Sequence, residues 1–190
     1  MSLHTRWLSE SIPYTGAELR PHWISRRTEH FGSAIVAFQG PCRVATTELV
    51  DREDSMAGAV IEARQMLHFL GEFFEGNLDL WIVWQRLFVA SFLEELRPRA
   101  GGSSWERSGN DLFLVDGASR RKLSVSIVTA TPVSCLFHFG VNVDAGGAPV
   151  PAVGLSELGI DAEPLARAVL DRWSRELVSA ARARCKVSPR

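Results

Sequence analysis

The chain has 190 residues, 46% of them hydrophobic, with 21 basic and 22 acidic side chains and a formal net charge of -1. That length buries one sizeable core, giving one domain over 1–190 without metal or disulfide support, and the near-balanced charge excludes a general attraction to nucleic acid or an anionic membrane. Cys42, Cys135 and Cys185 are odd in number and scattered, which excludes a disulfide framework and a structural zinc site, and the lack of an apolar signal core or of a run of about 18 apolar residues predicts a cytoplasmic protein with no membrane partner.

A first strand is expected around Trp7 to Ile12, closed by Pro13 and by Tyr14, the one tyrosine of the chain. Gly16 to Arg27 reads as a short helix or a loop. Arg26 and Arg27 are either anion contacts on a substrate loop or solvated arginines flanking a packed Trp23. Ser33 to Gln39 is an apolar strand bounded by Gly32 and Gly40-Pro41, and Arg43 to Val50 is its expected antiparallel partner. Asp51, Glu53 and Asp54 can bind a divalent cation, but such residues more often cap the next helix.

From Met56 or Ala59 to Phe74 the apolar residues, Met66, Leu67, Leu70 and Phe73 among them, recur at helical spacing and predict an amphipathic helix. His68 would lie on its surface, with no second ligand four residues on and hence no metal site. A second helix is expected over Leu80 to Leu96, apolar nearly all round, which buries it against a sheet or against a second copy of the chain in a homodimer. Arg86 interrupts it and needs an anionic partner, in a pocket or at Glu62 or Asp79. Arg97 to Ser104 and Ala145 to Gly154 are Gly/Pro-rich connections, and Asp161 to about Cys185 is a closing helix.

The stretch from Glu106 to Asp144 carries the candidate chemistry. Leu112 to Val115 is a strand stopped by the Asp116-Gly117 turn. Residues 122 to 129 alternate, with Leu123, Val125 and Ile127 on one side and Lys122, Ser124 and Ser126 on the other. Residues 135 to 143 alternate again, with His138 and Asn142 on the polar side. If both apolar faces pack on one core, the polar sets converge into a single pocket with Asn110 and Asp111. Lys122 and Lys186 are the only lysines among the 21 basic residues. Where this chain otherwise writes arginine, a lysine on that face suggests a compact ammonium aimed at a phosphate or a reacting carbonyl oxygen.

Gly109-Asn110-Asp111, Lys122-Leu123-Ser124 and Gly140-Val141-Asn142-Val143, in that order, resemble the catalytic core of biotin and lipoate protein ligases. The resemblance implies that Lys122 contacts an acyl-adenylate and that Asn110 and Asp111 lie near the nucleotide and its metal, with ATP and Mg²⁺ as the cofactors to look for. Over its length the chain also resembles the uncharacterised family called domain of unknown function 366, through Pro21-His22-Trp23-Ile24, Ser33 to Phe38, Met66 to Phe69, Gln85-Arg86-Leu87 and Lys122 to Ile127. The glycine- and arginine-rich loops with which the ligases wrap the adenylate have no counterpart; Arg26-Arg27 is the nearest basic cluster and lacks the glycines.

The expected architecture is α+β, a single mixed or antiparallel sheet with helices mainly on one face. Its expected function is ligase-like activation or transfer of a small carboxylate or acyl substrate, with Lys122 catalytic and Asn110, Asp111, Ser124, Ser126, His138, Asn142, Arg26 and Arg86 binding substrate or nucleotide. The alternative is a small-molecule or nucleotide-binding module without the chemistry.

Overall fold

The centre of the fold is β3 (Ile61–Phe73), a strand where the apolar spacing predicts a helix. In a computed structural model, which describes residues 3–188, β3 lies between β2 (Ala34–Val44) and β8 (Cys135–Asp144) and is antiparallel to both. Every residue from Met66 to Phe73 is buried. A strand covered on both faces loses the inside-outside alternation, and its continuous apolar run then matches helical spacing as well as any other.

The main sheet has the order β1-β2-β3-β8-β7, with β1 (His4–Trp7) parallel to β2 and β7 (Ser124–Ala130) at the far edge. A second sheet holds β4 (Ser104–Ser108), β5 (Asp111–Asp116) and β6 (Ser119–Lys122). The run expected as one strand from 122 to 129 is divided between the two sheets. The change occurs at the buried Leu123, whose N–H donates to the Leu112 carbonyl (2.8 Å) and whose carbonyl accepts from Asn142 N–H (2.9 Å). The architecture is α+β with a mixed sheet, as the sequence implies, in two sheets instead of one.

Two long helices cover one face of the main sheet. Asn77 caps α3 (Leu78–Leu96) by accepting from Leu80 N–H at 2.9 Å, and α4 (Ala162–Cys185) packs beside it. Phe88 and Phe92 of α3 meet Phe69, Phe137 and Phe139 of the sheet mostly edge to face, the geometry that aromatic quadrupoles favour. The opposite face is only partly covered. There Leu8, Ile12, Tyr14 and α1 (Trp23–Thr28) pack on Phe38, Met66 and Leu70.

Two local expectations change. Gly40-Pro41 does not end β2, which runs on to Val44 through a bulge between Gly40 and Cys42. The bulge relieves the proline of its ladder bond, and Arg43 and Val44 pair with β3 instead of opening a new hairpin. The acidic cluster does cap a helix, but the helix is the short α2 (Arg52–Met56): Asp51 Oδ1 accepts from the N–H groups of Glu53 (2.8 Å) and Asp54 (3.2 Å).

Gly40 is required by the approach of the N-terminal segment, which bonds along β2 through Ile12 N–H to Gln39 carbonyl (2.9 Å) and Tyr14 N–H to Pro41 carbonyl (2.9 Å). A Cβ on Gly40 would lie 1.8 Å from the Ile12 carbonyl oxygen, a backbone atom that cannot turn aside. Gly40→Ala is therefore expected to destabilise the protein by roughly 3 kcal/mol, at the upper end of overpacking costs, read from urea denaturation midpoints.

Candidate functional site

Where the N-terminal segment leaves the sheet uncovered, a cavity of about 610 Å³ opens. Its floor follows from the register of β7 on β8, which sets Val125 opposite Gly140, Ile127 opposite His138 and Ser126 opposite Phe139. Directly opposed residues share a face, and Phe139 faces α3. Ser126 therefore points at the helices, where its hydroxyl accepts from Gln85 Nε2 (2.9 Å) and donates to the His138 carbonyl (2.9 Å). The two faces expected for β7 are exchanged, because its apolar Val125 and Ile127 serve the cavity while its serines satisfy themselves on backbone and Gln85. For β8 the observed phase is the one the alternation gives, with Phe137 and Phe139 toward the helices and His138 toward the cavity.

Lys122, Asp111 and Asn110 stand on the cavity wall where the chain passes between the sheets. Lys122 Nζ is 2.9 Å from Asp111 Oδ2, and both side chains keep partial access to solvent. The lysine's main chain is pinned by bonds to Pro151 (2.8 Å) and Val153 (3.0 Å) and by Asn142 Nδ2 donating to its carbonyl (3.2 Å). Asn110 Nδ2 donates to the Ser126 carbonyl (2.8 Å), tying the turn before β5 to β7. Ser124 borders the same cavity, but its hydroxyl accepts from Leu112 N–H (3.0 Å). Two sequence candidates lie elsewhere. Arg26 is in the last turn of α1, outside the cavity lining, and Arg86 is on α3, close to the Gly109 turn.

Tyr14 and His138 on the cavity lining continue into the sheet through the fully buried His68, a column in which the sequence singled out only His138. His68 Nε2 lies 3.3 Å from the Gly40 carbonyl oxygen and its Nδ1 lies 3.1 Å from His138 Nε2. Tyr14 lies flat on the His138 ring, with centroids 3.9 Å apart and planes within 9°. Burial drives the pKa of His68 down to about 3, and that of His138 well below its ordinary value, with the neighbouring His68 adding to the effect. Burial likewise raises the Tyr14 phenol, which stays protonated.

Five carboxylates line the cavity, from Glu48, Asp51, Asp54, Glu62 and Asp111, against one cation, Lys122. Among the described residues no group of three His, Cys, Asp or Glu side chains is arranged to hold a metal ion. That Tyr14, Glu48 and Glu62 line the cavity could not be read from spacing, since nonlocal packing delivers them.

The chain matches the family model described as Domain of unknown function (DUF366) over residues 3–188 and belongs to that family. An uncharacterized protein of Methanocaldococcus jannaschii is 28% identical over 177 residues, 90% of this chain and 78% of that protein. A solved protein of unknown function from Pyrococcus horikoshi is 33% identical, with a TM-score of 0.91 and full coverage of both chains. The biotin protein ligase of Aquifex aeolicus in complex with biotin and ATP is 18% identical, with a TM-score of 0.56 over 90% of this chain and 70% of that one. An archaeal bipartite lipoate protein ligase from Thermoplasma acidophilum is 12% identical, with a TM-score of 0.58 over 93% and 84%. At these identities the ligases share the fold.

The histidine column makes stability depend on pH. Both imidazoles are neutral when folded and regain the ordinary value of 6.5 when unfolded, so below that pH the unfolded state binds more protons. Stability is then fully present above about pH 6.5 and falls as the pH drops below it, for His68 at about 1.4 kcal/mol per pH unit down to about pH 3, with His138 adding to the fall in the same direction. Urea denaturation is expected to show a falling midpoint between about pH 7 and pH 5, and a His68→Asn variant a shallower decline.

Proposed function

We propose that this member of the DUF366 family binds a small carboxylate or acyl compound in the sheet-face cavity and activates or transfers it, with Lys122 as the catalytic residue. The observation that supports this reading is the placement of Lys122. One of two lysines in the chain, it presents its ammonium at the cavity wall, 2.9 Å from Asp111, where the resemblance to biotin and lipoate ligases puts the lysine that meets the acyl-adenylate. A fixed ammonium there stabilises negative charge as it develops on a carbonyl or phosphoryl oxygen. Asp111 aims it until a ligand takes over the contact, and Asn110 and Asp111 are the residues to orient a nucleotide or Mg²⁺. The volume of about 610 Å³ is within the range of small-ligand sites, and the fold is shared with a ligase whose structure holds biotin and ATP.

A second reading, a binding module without ligase chemistry, is favoured by the charge of the lining. Five carboxylates against one paired lysine oppose the approach of a triphosphate unless Mg²⁺ screens it, and the ligases' glycine- and arginine-rich loop is missing from the sequence.

Thermal unfolding with ATP and Mg²⁺, alone and with biotin, lipoate or octanoate, separates the two. Under the ligase reading a saturating pair raises the Tm of the native sequence by about 5 to 10 °C, since a ligand about a hundredfold above its Kd adds about 2.7 kcal/mol, and Lys122→Ala abolishes the shift. A shift with a carboxylate but none with ATP supports the binding module. No shift with any of them contradicts both.

A further inference from the structure

We propose that two copies of this chain pair through the end of the main sheet that lies away from the cavity, with Phe31, Phe74, Leu78, Leu80 and Val133 at the centre of the contact. The pairing is independent of what the cavity binds.

The strand register brings these residues together. Ala34, which opens β2, is opposite Glu72 near the end of β3, and Phe73 is opposite Cys135, which opens β8. The loops carrying Phe31, Phe74 and Val133 therefore leave the same end of three neighbouring strands, about 4.8 Å apart. Two hydrogen bonds hold these loops side by side. Phe74 N–H donates to Ser33 Oγ (3.1 Å), and the Ser134 hydroxyl donates to Glu72 (2.8 Å). α3 starts at this end too, and Leu80 folds back over the loop before it, so that a Cβ on Gly76 would lie 3.1 Å from Leu80 Cδ2. The cavity is at the opposite end, where its lining takes Val44 from the end of β2, Ile61 and Glu62 from the start of β3 and Asn142 from the last turns of β8.

The area of the patch is what a second copy needs. Phe31 is 91% exposed and Val133 54%, with Phe74, Leu78 and Leu80 at 38% to 45%. Together they leave on the order of 500 Å² of apolar surface in water, toward the upper end of what a soluble monomer shows in one patch. A homodimer interface takes about 800 Å² from each subunit, about 65% of it apolar, which is again about 500 Å². The five side chains carry no charge, and the exposed Glu75 and Asp79 beside them supply a polar rim. An uncharged apolar patch is complementary to itself across a twofold axis, and it holds no charge with which to select a different partner. Pairing at this end leaves both cavities open at the far ends of the dimer.

Sedimentation velocity from about 1 to 100 μM tests this on the native protein, on Phe31→Glu, on Val133→Glu and on Met56→Glu. The last charges an apolar residue that is 82% exposed on α2, at the cavity end. The native chain and Met56→Glu are expected to be dimers at about 10 μM, while Phe31→Glu and Val133→Glu each raise the dissociation constant at least about tenfold. Both patch positions are open to water in the single chain, so these variants keep its fold, which circular dichroism verifies. A native chain that stays monomeric over the whole range would overturn the proposal, and so would a dimer that both patch variants leave intact. Equal weakening by Met56→Glu would also overturn it, because association would then follow exposed apolar surface wherever it lies.

Discussion

The structure depends on β3 being buried on both faces. One side of it, Leu67, Phe69 and Phe73, supplies the core beneath α3 and α4; the other carries Met66, His68, Leu70 and Glu72. Buried polar groups on such a strand must be answered from within the protein. Glu72 accepts from His22 N–H and from the Ser134 hydroxyl, each at 2.8 Å, and so fastens the start of α1 over one end of the sheet. His68 is answered by Gly40 and His138, and beyond that pair the sheet is left open. The closed end and the cavity thus follow from the same constraint.

The edge of the sheet gives the cavity its chemistry. Because the chain changes sheets at Leu123, β6 delivers Lys122, and β5 with the turn before it delivers Asp111 and Asn110, to the rim of the face floored by β7 and β8. The polar groups there divide by task. Asn110, Ser124, Ser126 and Asn142 spend hydrogen bonds on joining the two sheets and on holding α3. Among the described residues the Glu48, Asp54 and Glu62 side chains on the cavity lining make neither an ion pair nor a hydrogen bond, and the Lys122 ammonium pairs with Asp111.

Much of this was legible in the sequence. The Asp116-Gly117 turn, the long helix ending at Leu96 and the closing helix ending at Cys185 are set by local turn and periodicity signals, which the fold does not override. The ordered segments from Gly109 to Val143 carried the fold resemblance. β3 was misread because burial on both sides erases period two, and β7 was assigned the wrong face because its serines bond locally while valine and isoleucine floor an open cavity. The end of β2 was placed too early because Gly40-Pro41, a usual terminator, here accommodates a bulge and the crossing of Ile12. The Tyr14-His138-His68 column joins residues far apart in the chain, and no spacing rule brings them together.

Imidazole nitrogen chemical shifts measured by long-range proton–nitrogen correlation, near neutral pH on uniformly labelled protein, test the central claim most directly. The Gly40 carbonyl accepts from His68 Nε2, and His138 Nε2 donates to His68 Nδ1, so the structure predicts two neutral rings, each protonated on Nε2. A proton on His138 Nδ1, or a charged ring at either residue, would contradict the account.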